Sequence, residues 1–312
     1  MRIIFFGTSE FALPALEALA ASRHSIVAVV TAGDKKRGRG LILSFSPIKI
    51  FSQQKNLHLL QPQRLDSPAF LTRLKKELCD LFIVCAYGKI LTKQLLSMPK
   101  IYAINLHGSL LPKYRGAAPV NWAIINGEKE SGVTIIKMNE LMDQGEIMLQ
   151  KKLKINDTDT AISLSEKLAQ IGKQTLLEAL DLIADKKATF TKQDEGQVSF
   201  APKLKKQDGL INWRAAAQEI DQRIRGLVPW PGAFTYLDKK ILKIWQGLAL
   251  DNQKTQLSPG EILEVNSQKG ILVATGQGQL LITELQLAGK NKMPATEFIR
   301  GHKLETGKIL GE

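Results

Sequence analysis

Asn105 and His107 stand two residues apart at the end of the apolar run Ile101-Tyr102-Ala103-Ile104, where a loop rich in Gly and Pro begins. Two-residue spacing in extended backbone points both side chains the same way. One is an amide donor, and the other can give or take a proton near neutral pH. Histidine is scarce in this chain: only His24, His58, His107 and His302 occur, and the other three lie in ordinary polar contexts. Asp143 follows a second apolar run, Val133 to Met138, in the stretch Glu140-Leu141-Met142-Asp143-Gln144-Gly145-Glu146. An Asp ahead of a Gly suits a turn, and an Asp beside a His can orient it or relay its proton; both readings of Asp143 stand on the residues alone. A Ser-His-Asp hydrolase is a weaker reading, because Ser109 sits next to the His loop and not in a G-x-S-x-G elbow. No H-x-x-x-H, H-E-x-x-H or paired C-x-x-C is present, so no metal site is expected.

A third feature is Gly33-Asp34-Lys35-Lys36-Arg37-Gly38-Arg39-Gly40. Its cations, flanked by glycines, suit either a solvated loop or one that contacts phosphates at the mouth of the same cleft. The turn Gly7-Thr8-Ser9 lacks the second glycine of a G-x-G-x-x-G fingerprint, which argues against a dinucleotide-dependent dehydrogenase.

Positioning these groups requires a sheet. Ile3–Phe6, Ile26–Val30, Leu81–Ala86 and Ile101–Asn105 are continuous apolar runs separated by helical patterns, the mark of a parallel α/β sheet covered on both faces. In such sheets ligands bind beyond the carboxyl ends of the strands, where Asn105 and His107 fall and where the strand before Asp143 should also end. Residues 160–183 have helical spacing. A first domain over 1–187, a polar connector over 188–207 and a second domain over 208–312 follow from the change in pattern. The second domain shows short strands at 241–245, 260–265, 270–275 and 278–283, bounded by turn residues, as in a small β-barrel.

The 312 residues, 44 % hydrophobic and 23 % charged, fit two globular domains and exclude a disordered or collagen-like chain. Forty-three Lys and Arg against 30 Asp and Glu leave a formal charge of +13, which calls for an anionic partner. Residues 31–115 hold 15 of these cations against 4 acids, a net +11, whereas residues 207–312 hold 13 against 11. Cys79 and Cys85 read as core thiols. No run of eighteen apolar residues and no signal peptide is visible, so a cytoplasmic protein with no membrane partner is expected.

Asn105-Leu106-His107-Gly108-Ser109-Leu110-Leu111-Pro112, followed by Tyr114-Arg115-Gly116-Ala117-Ala118-Pro119, resembles the signature of the methionyl-tRNA formyltransferase family. The start Ile3-Ile4-Phe5-Phe6-Gly7-Thr8-Ser9, the segment Tyr87-Gly88-Lys89-Ile90-Leu91, the stretch Val133 to Gly145, and Pro229-Trp230-Pro231-Gly232 with Met293-Pro294-Ala295 extend the resemblance along nearly the whole chain. Gln144-Gly145-Glu146 departs from the family's turn, where Thr and a following Asp are common, but leaves Asp143 in register.

The resemblance implies a Rossmann-like, mostly parallel formyltransferase domain plus a C-terminal OB-like β-barrel. It implies an enzyme that moves the formyl group of 10-formyltetrahydrofolate to the α-amine of methionyl initiator tRNA. Asn105, His107 and Asp143 match the family's catalytic residues. Ser109, Leu110, Leu111, Pro112, Tyr87, Gly88 and Ile90 match its folate contacts. Lys35, Lys36, Arg37 and Arg39 match its tRNA-contacting loop, and the barrel is expected to touch tRNA as well. Rival formyltransferases share the N-terminal chemistry, but a glycinamide ribonucleotide enzyme would lack the barrel, and a nucleotide-sugar enzyme or a formyltetrahydrofolate hydrolase would carry a different, larger partner domain. A silent RNA-binding protein would have no use for the trio.

Overall fold

In chain order the first elements are β1 (Arg2–Gly7), α1 (Leu13–Ala20), β2 (Ser25–Val30), β3 (Lys35–Arg37), β4 (Ile42–Ser44), α2 (Pro47–Gln54) and β5 (Leu59–Leu60). Then come α3 (Pro68–Lys76), β6 (Leu81–Cys85), α4 (Lys93–Leu96), β7 (Tyr102–His107), β8 (Arg115–Gly116) and α5 (Pro119–Ile125). They are followed by β9 (Glu130–Lys137), β10 (Glu146–Lys154), α6 (Ala161–Ala184) and β11 (Phe200–Ala201). The computed structural model describes residues 1–37, 42–250 and 258–311, and divides into two compact units.

The first unit comprises residues 1–119, 130–154 and 165–202. Its seven-stranded sheet has the order β10-β9-β7-β6-β1-β2-β5. The five strands from β7 to β5 run parallel. All five residues of β6 and five of the six in β1 are buried, as the apolar runs predict for central strands covered on both faces. Phe6, Phe82, Val30, Phe70 and Leu74 form one core layer, with the Phe6 and Phe82 rings 5.0 Å apart. α6 approaches β7 closely, because Gly172 leaves its whole side-chain volume to Leu106. Ser46, Ser67 and Thr92 cap α2, α3 and α4 by accepting backbone N–H bonds, and Pro47 and Pro68 open the first two of these helices.

β9 corrects one sequence expectation. It pairs antiparallel with β7, so its carboxyl end does not lie beside that of β7. Asp143 sits instead in the connection to β10, an edge strand rich in Lys whose outer face is solvated. Its only apolar run is the short Ile147-Met148-Leu149, which the lysines that follow obscure.

The second unit comprises residues 120–129, 155–164 and 203–312. It holds α7 (Ala217–Gly226), β12 (Ala233–Leu237), β13 (Lys240–Leu250), β14 (Ile262–Asn266), β15 (Gly270–Ala274), β16 (Gln279–Leu287), β17 (Met293–Pro294) and α8 (Ala295–Gly301). The strands form one antiparallel sheet, β12-β13-β16-β15-β14 with β17 on β16, the small barrel-like domain expected. Register shifts around Gln246 bend the long β13 against β16, as curling a sheet demands. Leu242, Ile244, Ile282, Leu285 and Phe298 are buried in it.

Candidate active site

β7 delivers Asn105 and His107 at its carboxyl end, where Asn105 is flanked by Val84 of β6 and Ile136 of β9. Asn105 Nδ2 donates to Asp143 Oδ1 at 3.3 Å, and His107 Nδ1 lies 3.6 Å from the same oxygen. Asn105 and His107, paired by their spacing, and Asp143, grouped with them by the family resemblance, therefore meet at one carboxylate oxygen. His107 is only 6 % exposed. Its other nitrogen, Nε2, lies 3.0 Å from the Tyr114 carbonyl oxygen. A carbonyl can only accept, so Nε2 carries a proton and Nδ1 is the nitrogen that faces the site.

The second oxygen of Asp143, Oδ2, accepts the Gly116 N–H at 2.8 Å. Gly116 has φ +127°, and a Cβ there would stand 2.6 Å from the Ala201 carbonyl oxygen, so the position needs glycine. Asp143 itself has φ +54°, in the left-handed region that ordinary residues avoid. Gln193 Nε2 donates at 2.7 Å to the carbonyl oxygens of both Asp143 and Gly145. Arg115, 3 % exposed, donates to Gln193 Oε1 at 2.8 and 3.0 Å and to the Glu195 carboxylate at 2.7 and 3.1 Å. The Arg115 guanidinium holds the Glu195 carboxyl below its ordinary range. β11 pairs with β8 and so closes Phe200 and Ala201 onto the loop.

The residues between His107 and Arg115 are held from inside. Ser109 Oγ donates to the Lys113 carbonyl at 2.7 Å. Thr134 Oγ1, fully buried, donates to the Ser109 carbonyl at 2.6 Å and accepts the Leu111 N–H at 3.1 Å. Gln150 Nε2 donates to the Leu111 carbonyl at 2.8 Å. The Leu111–Pro112 peptide is cis. Ser109 and Leu111 are thus buried supports, while Leu110 and Pro112 are half-buried.

At the end of β6 the backbone turns through left-handed Ala86 and Gly88. Gly88 and Ile90 are exposed. Tyr87 points inward, 3 % exposed, and its hydroxyl has no partner. Burial pushes that phenol up to about 12.

Beyond β1 and β2 lies a cavity of about 440 Å³, lined by Thr8, Ser9, Phe11, Lys35, Phe45 and Pro47 among others. Lys35 is exposed at its edge, and Lys35, Lys36 and Arg37 form β3 opposite β4. Arg39 lies outside the described residues. The root of the basic loop is anchored: Asp34 accepts from Lys49 at 2.6 Å and from Gln61 at 3.0 Å, which holds its carboxyl below the ordinary range. Cys79 and Cys85 are free and buried, and burial pushes the Cys79 thiol up to about 11. Among the described residues, no helix is long and apolar enough to cross a membrane, and no three His, Cys, Asp or Glu side chains gather as metal ligands would.

Gln193, Glu195, Thr134 and Gln150 were not apparent from sequence. The first two sit in a polar stretch that reads as a connector, and the others sit inside strands. Each acts on backbone or side-chain groups far along the chain, where spacing carries no signal.

Two family models cover most of the chain: "Formyl transferase" matches residues 1–180, and "Formyl transferase, C-terminal domain" matches residues 203–303. The methionyl-tRNA formyltransferase of Acetivibrio thermocellus is 42 % identical over 312 residues, covering all of both chains. That of Citrifermentans bemidjiense is 43 % identical over 312 residues, covering all of this chain and 97 % of its own.

The chain belongs to the methionyl-tRNA formyltransferase family.

The fold extends further. An N-formyltransferase from Helicobacter canadensis, solved with folinic acid and dTDP-3-aminofucose, superposes with a TM-score of 0.67 at 19 % identity, covering 93 % of this chain and 99 % of its own. Overall length therefore does not separate the family from such an enzyme, contrary to the expectation of a larger partner domain. Sequence identity does.

Proposed function

We propose that this chain transfers a formyl group from 10-formyltetrahydrofolate to the α-amine of methionyl initiator tRNA, with Asn105, His107 and Asp143 as the catalytic residues. Family membership supports the formyl-transfer activity, and the relatives' names supply the acceptor. The observation that carries the catalytic roles is the convergence of Asn105 Nδ2 and His107 Nδ1 on Asp143 Oδ1.

A folate donor supplies the formyl group. Its place beside residues 87–90 is supported by the exposure of Gly88, Lys89 and Ile90 and by the open space at Gly88, where an added Cβ would meet nothing within 4 Å. The amine attacks as the neutral base, and negative charge gathers on the formyl oxygen as the new C–N bond forms. Asn105 Nδ2 donates to that oxygen. His107 donates from Nδ1 when the ring is in its cationic form, because Nε2 is already committed to Tyr114. One fixed donor of this kind is worth about 3–4 kcal/mol of barrier. Asp143 takes the proton that the amine sheds, and the departing folate nitrogen receives one as its bond to the formyl carbon breaks. Gly116 N–H keeps the Asp143 carboxylate aimed throughout.

The anionic acceptor matches the charge of residues 31–115. Lys35, Lys36, Arg37 and Arg39 are the cations we assign to its phosphates.

The test is formyl transfer to charged initiator tRNA, run beside binding of uncharged tRNA. N-formylmethionyl-tRNA and tetrahydrofolate should appear in equal amounts. Binding of tRNA without transfer would favour a silent RNA-binding protein instead.

A further inference from the structure

We infer that Gln193, polarised by Arg115, is a positioning residue that holds the Asp143 carboxylate in its working place. The inference rests on the catalytic reading of Asp143 given above.

The turn that carries Asp143 is unfavourable on its own. Asp143 has φ +54°, and a non-glycine residue there needs its surroundings to fix it. Gln193 supplies that restraint from 50 residues away. Its single amide group donates to the carbonyls on both sides of Gln144, those of Asp143 and Gly145, at 2.7 Å each. The orientation of this amide is set by its partners. Arg115 can only donate, so Oε1 faces it, and the two carbonyls can only accept, so Nε2 faces them. A guanidinium on Oε1 draws electron density from the amide and strengthens its N–H donors. Glu195 in turn holds Arg115 through two bonds. The same arginine belongs to β8, whose next residue, Gly116, donates to Asp143 Oδ2. Backbone and carboxylate of Asp143 are therefore fixed from one connected group: Gln193 grips the main chain, and Gly116 grips the side chain.

Gln193 bonds the main chain of Asp143 and Arg115 bonds Gln193, so neither occupies the side-chain atoms where the trio meets, and their effect should fall on rate rather than on substrate affinity. The test measures kcat, both KM values and thermal unfolding of Gln193→Ala and Gln193→Glu. Gln193→Glu keeps the shape and the bond to Arg115 but cannot donate to two carbonyls. We expect kcat to fall roughly 10- to 100-fold in both variants. Both KM values should stay within about threefold, and the melting temperature within a few degrees. Should Gln193→Ala unfold, Gln193→Glu decides alone. A kcat of Gln193→Glu within about threefold of wild type would overturn the inference, and so would a loss that appears only as raised KM. Asp143→Asn belongs in the same series. If it keeps wild-type kcat, the catalytic reading fails; if it loses rate while both Gln193 variants keep theirs, only the positioning inference fails.

Discussion

The loops at the end of β7 and the antiparallel sheet of the second unit bury very different groups. Around β7 the interior holds His107, Ser109, Arg115 and Thr134, each tied to a named partner. In the second unit the interior is mostly apolar, Phe298 and Trp213 included, with few buried polar side chains, such as Asp221, Thr235 and Thr275. Burial pushes the Asp221 carboxyl up even though Arg225 bonds it. Charge divides the same way, with +11 over residues 31–115 and +2 over residues 207–312. A buried polar network costs stability unless every member is satisfied, but it holds groups to fractions of an ångström. The first unit concentrates that cost around Asn105, His107 and Asp143, the residues we propose as catalytic, and the second unit relies mostly on apolar packing.

The contrast breaks most sharply at the trio. His107→Ala should lower kcat by at least ~100-fold, through loss of a preorganised donor, while folate and tRNA binding persist. Asn105→Ala should cost a similar or smaller factor, since it removes a donor and no proton carrier. Steady-state kinetics checks both, and wild-type-like turnover in either would remove that residue from the mechanism. A smaller effect is expected at the basic loop. Neutralising Lys35, Lys36, Arg37 and Arg39 should weaken tRNA use, leave folate binding intact, and flatten the salt dependence by about one unit of log–log slope for each phosphate that is no longer neutralised. Equal loss of folate binding would mean that the loop holds the fold rather than the tRNA.

Much of this was legible before the fold. β1, β6 and β7 announce themselves as continuous apolar runs, because a central parallel strand has no polar face. Asn105 and His107 stand out at the end of an apolar run, and Asp143 as an acid in the stretch that follows another. What stayed hidden acts across the fold. Gln193 looks like any connector residue until its amide is seen on two distant carbonyls. β10 has the composition of a solvated edge, and α7 and α8 lie among strands that set the pattern. The charge count also needed the structure. Arg115 and Lys49 add to the +11, yet Arg115 is buried against Glu195, an acid outside that stretch, and Lys49 is taken up by Asp34. The part of the field offered to an anion is therefore weighted toward residues such as the exposed Lys35.

The central claim is that Asp143 works chemically at the meeting point of Asn105 and His107. Asp143→Asn tests it with the least disturbance, because the amide oxygen can still accept the Gly116 N–H while the proton acceptor is gone. The decisive measurement is the single-turnover rate of formyl transfer at saturating folate donor and methionyl-tRNA. The account predicts a fall of at least ~100-fold with unchanged binding of both substrates. A rate within about threefold of wild type would contradict it.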